Sequence, residues 1–312
     1  MSACTTVPRS PIAATATPTA TTPTATAAAA TTRAATTATC DVCPHACRIP
    51  EGGMGRCRAR GNVGGRIVAT GYGHITSLAL DPVEKKPLAR WRPGKLLLSA
   101  GFYGCNLRCP FCQNWQISQA GEHDVPWQEI TPAELVETAC GAHRRDGRVV
   151  GIAHTYNEPL VGYEYIMDTA PLLHAAGLKV VLVTNGMICT EPLTRLLPHV
   201  DAMNIDLKAW RTDTYRQLGG DLEAVKSTIA TAVAHGVHVE VTTLVVPGIS
   251  DRAEDMDEEA HWLSTLSPDL PLHISRYFPR HRMSAPPTPI ATVDCLTAIA
   301  RRHLRHVHRG NC

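Results

Sequence analysis

Three cysteines lie within one short stretch, Gly101-Phe102-Tyr103-Gly104-Cys105-Asn106-Leu107-Arg108-Cys109-Pro110-Phe111-Cys112. The spacing C-x3-C-x2-C lets three thiolates face one iron–sulfur cube. A cube carries four irons, and protein-bound cubes ordinarily take four cysteines. No fourth cysteine follows nearby, so one iron would keep an open coordination position, as catalytic metal centres do. Gly101 and Gly104 let the backbone turn sharply and come close to its neighbours. The competing chemistry is structural zinc. Zinc needs four ligands, and the nearest candidate for the fourth, His123, lies eleven residues further on.

A second set, Cys40-x2-Cys43-x3-Cys47-x9-Cys57, is followed by Arg58 and Arg60. Pro44, Gly52, Gly53 and Gly55 suit a compact knuckle. Four thiolates can hold zinc or a second iron–sulfur cluster, and their spacing does not identify the metal. His45, inside the set, could replace one cysteine. An accessory cluster would relay electrons to the first, whereas a zinc knuckle would only fasten the N-terminus. Because these cysteines precede the first strand of the main domain, the two sets are expected to be separable. On that expectation, removing residues 1–60 leaves the three-cysteine cluster in place.

The elements that must position these loops are legible from Lys95 onward. Candidate strands are Lys95–Ala100, Val149–His154, Lys179–Thr184, Ala202–Asp206, His238–Val245 and Leu272–Arg276, with helical patterns between them. Thr131-Pro132-Ala133-Glu134 reads as a capping box with proline in the first turn. Thr190 and Asp221 read as further N-caps, and Gly177 and Gly236 as helix stops. A β-like stretch precedes this at about 66–79. Residues 81–94, punctuated by Pro82, Pro87 and Pro93, read as loop. Six strand–helix units in series imply a parallel sheet with right-handed crossovers. The pattern alone does not choose between a partly closed barrel and an open doubly wound sheet. In either, ligands bind beyond the C-terminal strand ends. There the sequence places Cys105, Cys109 and Cys112, then Tyr156, Asn157 and Glu158, then Thr184 and Asn185, then Asp206 and Lys208, then His273, Ser275 and Arg276.

At this point the motifs carry a resemblance. The cysteine loop with Phe111 before its last cysteine looks like the signature of the radical S-adenosylmethionine (SAM) superfamily. Other motifs recur in one order: Leu80-Asp81-Pro82-Val83-Glu84-Lys85-Lys86-Pro87-Leu88, Thr155-Tyr156-Asn157-Glu158-Pro159, Val183-Thr184-Asn185-Gly186 and Asn204-Ile205-Asp206-Leu207-Lys208. Val241 to Gly248 and His273-Ile274-Ser275-Arg276 complete the series. From about residue 40 to 309 the chain is similar to the radical SAM member of the AmmeMemoRadiSam system, a branch similar to pyruvate formate-lyase-activating enzymes. The resemblance implies an α/β fold, a partial (β/α)6 TIM-like barrel with a small Cys-rich N-terminal segment. It implies that Cys105, Cys109 and Cys112 hold a [4Fe–4S] cluster, and that SAM chelates the fourth iron. Reductive cleavage of SAM then yields a 5′-deoxyadenosyl radical that takes hydrogen from a substrate. Tyr156, Asn157 and Glu158 fall at the family's SAM-amino-group motif, where a carboxylate suits an ammonium; an ordinary helix N-terminal acid is the plainer reading of Glu158. Thr184 and Asn185 would line the same pocket. Asp206 and Lys208 would do so too, or simply form an ion pair at the rim. Implied partners are a flavodoxin- or ferredoxin-like electron donor, and either Memo-like and AMMECR1-like proteins or a glycyl radical enzyme. Relatives often run on past the last strand, whereas this sequence ends at Cys312.

Composition bounds the remaining possibilities. The chain has 312 residues, 44% of them hydrophobic, enough for a sizeable core. It contains no apolar run long enough for a membrane span. The net charge of +2 gives no reason to expect nucleic acid. Arg301, Arg302, Arg305 and Arg309, with three histidines between them, read as a solvated helix face. Twelve cysteines in tight local groups suit metal sites better than disulfides, and such thiolates need a reducing compartment, hence a cytoplasmic location. Residues 5–39 are almost all Thr, Ala and Pro, and 1–39 read as a disordered tail; a transit peptide or an over-extended start would share that composition. The expected organisation is therefore tail (1–39), Cys-rich segment and linker (40–94) and radical SAM core (95–312). Two other classes remain: a non-catalytic iron–sulfur electron carrier, and a zinc-stabilised module binding RNA or protein.

Overall fold

The computed structural model describes residues 36–312; most of the Thr/Ala/Pro-rich stretch lies outside them. The described chain is built on an eight-stranded sheet with two edges. In chain order its strands are β1 (Ser77–Pro82), β2 (Leu96–Gly101), β3 (Val149–His154), β4 (Lys179–Thr184), β5 (Ala202–Asp206), β6 (His238–Val245), β7 (Leu272–Arg276) and β8 (Val307–Gly310). Neighbours in space are neighbours in sequence throughout. Strands β2 to β8 are parallel, and β1 pairs antiparallel with β2. The expected α/β fold with a mostly parallel sheet is thus present. Its two edge strands lie outside the six strand–helix units: β1 joins residues 77–79, the end of the β-like stretch, to residues 80–82, of which Asp81 and Pro82 read as loop, and β8 follows the last helix.

Five consecutive strands close around one peptide segment. Val83, Leu88 and Trp91 pack into a cluster with Leu97 of β2, Ala153 of β3, Val181 of β4 and Ala202 of β5. The backbone N–H groups of Ala89 and Arg90 donate to Glu240 of β6. A flat sheet could not present five strands to so short a plug, so the sheet is curled. The curl follows from strand parity, because successive side chains alternate between faces. Ala153 faces the plug, while its neighbour Ile152 packs outward with Leu135, Ala139 and Leu173.

Those outer residues belong to α1 (Pro132–Arg145) and α2 (Tyr163–Ala175); α3 (Thr190–Leu196), α4 (Leu222–Ala234), α5 (Ala253–Leu266) and α6 (Ile290–Ala300) cover the rest. The capping box forms as read: Glu134 N–H donates to Thr131 Oγ1, and Glu134 Oε2 accepts from Thr131 N. Asp221 caps α4 through Glu223 N and Ala224 N. At α3 the cap is Cys189 rather than Thr190, which is already helical. Gly177 and Gly236 adopt φ of +75° and +76° after α2 and α4, the left-handed geometry that ends helices. The C-terminal arginines are not on a helix. α6 stops at Ala300, and Arg302, Arg305 and Arg309 pair with Asp257, Asp269 and Asp294. No helix among the described residues is long and apolar enough to cross a membrane.

Residues 36–76 form small ribbons, including Ala38–Thr39 against Arg48–Ile49 and Arg60–Val63 against Arg66–Ala69. Ala38 and Thr39 are therefore structured, although composition places them in the tail.

Candidate active site

The cysteine loop leaves the C-terminal end of β2 and is stitched to the loop after β3 by one side chain. Asn157 Oδ1 accepts from Phe102 N at 3.0 Å, and its Nδ2 donates to the Tyr103 and Gly104 carbonyls at 3.1 and 3.0 Å. Asn106 continues the seam. Its Nδ2 donates to Met187 O, its Oδ1 accepts from Asn185 Nδ2, and its carbonyl accepts from His45 Nε2, each at 2.8 Å. Across the rim, Arg282 N donates to Pro110 O at 2.9 Å, and His281 stacks on Trp115 with centroids 5.0 Å apart. Loops following β2, β3, β4 and β7 therefore meet around Cys105 to Trp115.

Cys109 is buried, and Cys105 and Cys112 are partly so. Burial pushes the Cys109 thiol up to about 12, while the Lys208 ammonium pulls the other way. Cys105 is raised by burial and then by Glu158, and it also feels Cys109 and Cys112. Its sulfur accepts from Leu107 N at 3.3 Å and from Asn185 Nδ2 at 3.6 Å. Among the described residues, no three His, Cys, Asp or Glu side chains converge to enclose a single ion. A cube takes each thiolate at a different corner rather than at a common point. Three thiols on one glycine-bounded loop, beside the partly buried Lys208 ammonium and with a sulfur-directed N–H, are a donor set that fits it.

Glu158 is buried and its carboxylate is already shared. It accepts from Thr184 Oγ1 at 2.6 Å, Asn185 N at 2.8 Å and Leu160 N at 3.0 Å. The last of these makes it the N-cap of the short helix Pro159–Gly162, so the plainer reading has its geometry too. Burial lifts its pKa to about 7 against those donors. Glu158, Thr184 and Asn185 thus form one network, as the sequence placed them. Asp206 and Lys208 form an ion pair of 2.7 Å at the end of β5, near Cys109. Tyr156 is turned elsewhere. Its hydroxyl donates to Asp81 Oδ2 at 2.5 Å, its ring lies under Lys86 and against Gly101, and its φ is +74°. Tyr156 and Asn157, read as cofactor contacts, have their side-chain polar groups committed to the protein. His273 lies lower in the sheet, bonded to Glu240 at 2.6 Å.

The residues that sequence reasoning passed over are Asn106, Asn157 as a brace, His281, and Gln119, whose Nε2 donates to Leu107 O at 3.2 Å and whose Oε1 accepts from Arg108 Nη1 at 3.0 Å. Asn106 alone carried a signal, as a polar residue inside the cysteine spacing.

The four N-terminal cysteines line one cavity with His45 and Arg56. They are not remote from the loop. Cys57 O accepts from Cys105 N at 3.2 Å, and Arg56 O accepts from Arg108 Nη2. Gly104, at φ +87°, comes so close that a Cβ there would stand 2.5 Å from Cys57 O. Arg60, also buried, reaches Glu164 of α2 with both guanidinium nitrogens at 2.7 and 2.6 Å. The expected separability of the two cysteine sets does not match this packing.

Residues 101–263 match the family model of the Radical SAM superfamily, and the chain belongs to that superfamily. It is 41% identical over 276 residues to an uncharacterised protein of Methanocaldococcus jannaschii, covering 87% of this chain and 80% of that one. It is 25% identical over 169 residues to a pyruvate formate-lyase-activating enzyme of Clostridium pasteurianum, covering 53% and 68%. Among solved structures, a radical SAM methyltransferase from Sphaerobacter thermophilus shares the fold at a TM-score of 0.55 and 18% identity, over 70% of this chain and 66% of that one. The family implies an enzyme with a [4Fe–4S] cluster and SAM.

Proposed function

We propose that this protein is an activase-like oxidoreductase that cleaves SAM reductively, with Cys105, Cys109 and Cys112 as the ligands of its [4Fe–4S] cluster. When bound, the cluster and SAM supply an adenosyl radical able to take a hydrogen atom from the substrate. The observation that carries this reading is the open three-cysteine loop at the C-terminal strand ends, tied by Asn106 and Asn185 to the Glu158–Thr184 network. Glu158, Thr184 and Asn185 hold the amino-acid end of SAM, with Glu158 offering a charge-assisted acceptor to the ammonium. Lys208, paired with Asp206, offsets the negative charge gathered by thiolates beside Cys109. Tyr156 and Asn157 serve the pocket indirectly by fixing the backbone of the cysteine loop. The rim loops exclude water from the reacting centre.

The similarity to pyruvate formate-lyase-activating enzymes supports a substrate that is itself a protein, such as a glycyl radical enzyme. The motif series supports membership of the AmmeMemoRadiSam group, with Memo-like and AMMECR1-like partners. A flavodoxin- or ferredoxin-like donor would deliver the electron, and a cytoplasmic location suits so many free thiols. The test is anaerobic reconstitution, reduction and measurement of 5′-deoxyadenosine. Wild-type protein is expected to form it. Cys105→Ala, Cys109→Ala and Cys112→Ala are each expected to abolish it while circular dichroism stays unchanged. A cysteine variant that cleaves SAM at the wild-type rate would sink the assignment.

A further inference from the structure

We infer that Cys40, Cys43, Cys47 and Cys57 bind a second iron–sulfur cluster, and that this centre holds the catalytic cysteine loop in place. The inference rests on reading Cys105, Cys109 and Cys112 as the first cluster's ligands.

The knuckle has the form of a built site. Its four thiols line one cavity, and none is in a disulfide. Tight turns bring them there: Cys40 N bonds Cys47 O at 2.9 Å, Ala46 N bonds Cys43 O at 3.1 Å, and Arg58 N bonds Gly55 O at 3.0 Å. Arg58, at φ +62°, and Ala46, at φ +42°, lie in the left-handed region although neither is glycine. Such geometry persists only where its surroundings hold it. The buried Arg60 lines the same cavity, its guanidinium held from outside by Glu164.

What the knuckle touches gives the centre its role. Its backbone supplies the acceptor for Cys105 N, the acceptor for the Arg108 guanidinium and the wall against which Gly104 is pressed. His45, between Cys43 and Cys47, donates to Asn106 O at 2.8 Å. Val42 O accepts from Cys189 N at 2.9 Å beside the β4 loop. Every one of these contacts originates within two residues of a knuckle cysteine. A metal that draws the four thiolates together fixes them all at once, because metal binding supplies folding free energy to small cysteine segments.

The test uses the full chain. In the variant with Cys105, Cys109 and Cys112 all changed to Ala, the knuckle is expected to retain metal after anaerobic reconstitution. Iron with matching sulfide is expected and identifies the cluster, whereas about one zinc without visible absorption overturns it. No bound metal in that variant overturns the proposal. In the second arm, Cys43→Ser/Cys47→Ser is prepared in otherwise wild-type protein. Hydrogen exchange of the segment 103–108 is expected to quicken by about two- to tenfold, the net worth of a lost backbone hydrogen bond, while β4 keeps its protection. Metal lost with that segment as protected as in wild type overturns the positioning role. Should the double variant not fold, chelator extraction of the metal from the triple-Ala chain gives the same comparison. A wild-type protein with metal in the knuckle but none on the Cys105 loop would defeat the functional reading and leave the second site standing.

Discussion

The Glu158 carboxylate accepts from Leu160 N, Thr184 Oγ1 and Asn185 N, which leaves about one of its four acceptor positions. If that position meets the SAM ammonium, Glu158→Gln weakens SAM binding by about ten- to hundred-fold, the worth of a charge-assisted hydrogen bond of about 1.5–3 kcal/mol. Titration of SAM into the reconstituted variant measures it. Unchanged affinity with a lower melting temperature would leave Glu158 as a helix cap and brace. At this scale the sequence spoke through residue types that are rare in ordinary loops, such as clustered cysteines and an acid before a proline. It could not show that the phenol of Tyr156 would turn to Asp81, since their partnership spans seventy-five positions.

Among the elements, α1 and the cysteine loop are fixed by opposite means. α1 is started locally, by the Thr131–Glu134 box. Thr131→Ala should cost about 1 kcal/mol in urea melts and leave SAM cleavage unchanged, because α1 packs on the outer face of the sheet. A drop in SAM affinity in that variant would mean that α1 reaches the rim. The cysteine loop is fixed by close approach instead. Gly104→Ala places a methyl 2.5 Å from Cys57 O at a left-handed φ. It should cost about 1–3 kcal/mol of overpacking strain and lower the iron bound per chain. Wild-type iron content and stability together would show that the loop and knuckle part readily. Strand boundaries such as Val149–His154 and Lys179–Thr184 were legible because parallel strands buried on both faces are short apolar runs. The edge strand Ser77–Pro82 was legible only as far as Ala79, because its Leu78 and Leu80 are exposed and Pro82 mimics a loop.

For the molecule as a whole, stability should depend on pH through two buried acids with opposite signs. Burial raises Glu259 to about 8, with Asp255 adding to the shift and the Thr243 hydroxyl opposing it. The native state then keeps a proton that the unfolded chain releases near 4.5. Its contribution is full below that value and is lost as pH climbs to about 8, at up to about 1.4 kcal/mol per unit. Glu240 behaves inversely. Burial opposes its charge, but hydrogen bonds from His238 and His273 prevail and hold it at about 2. Its contribution is present above 4.5 and lost as pH falls toward 2. Glu259→Gln should flatten the fall in urea stability between pH 6 and 8. An undiminished slope in that variant would assign the effect elsewhere.

The sequence by itself determined the class of chemistry. Three thiolates at C-x3-C-x2-C need no tertiary contact to be recognised, because cluster ligation reads local spacing. It also determined the succession of parallel strands, since apolar runs and caps are local. Only the tertiary structure decided what lies against the cysteine loop. The knuckle's backbone, the Asn106–Asn185 bond and the plug residues Val83, Leu88 and Trp91 join segments far apart in the chain. Those contacts depend on curvature and loop path, which one-dimensional patterns of hydrophobicity do not encode.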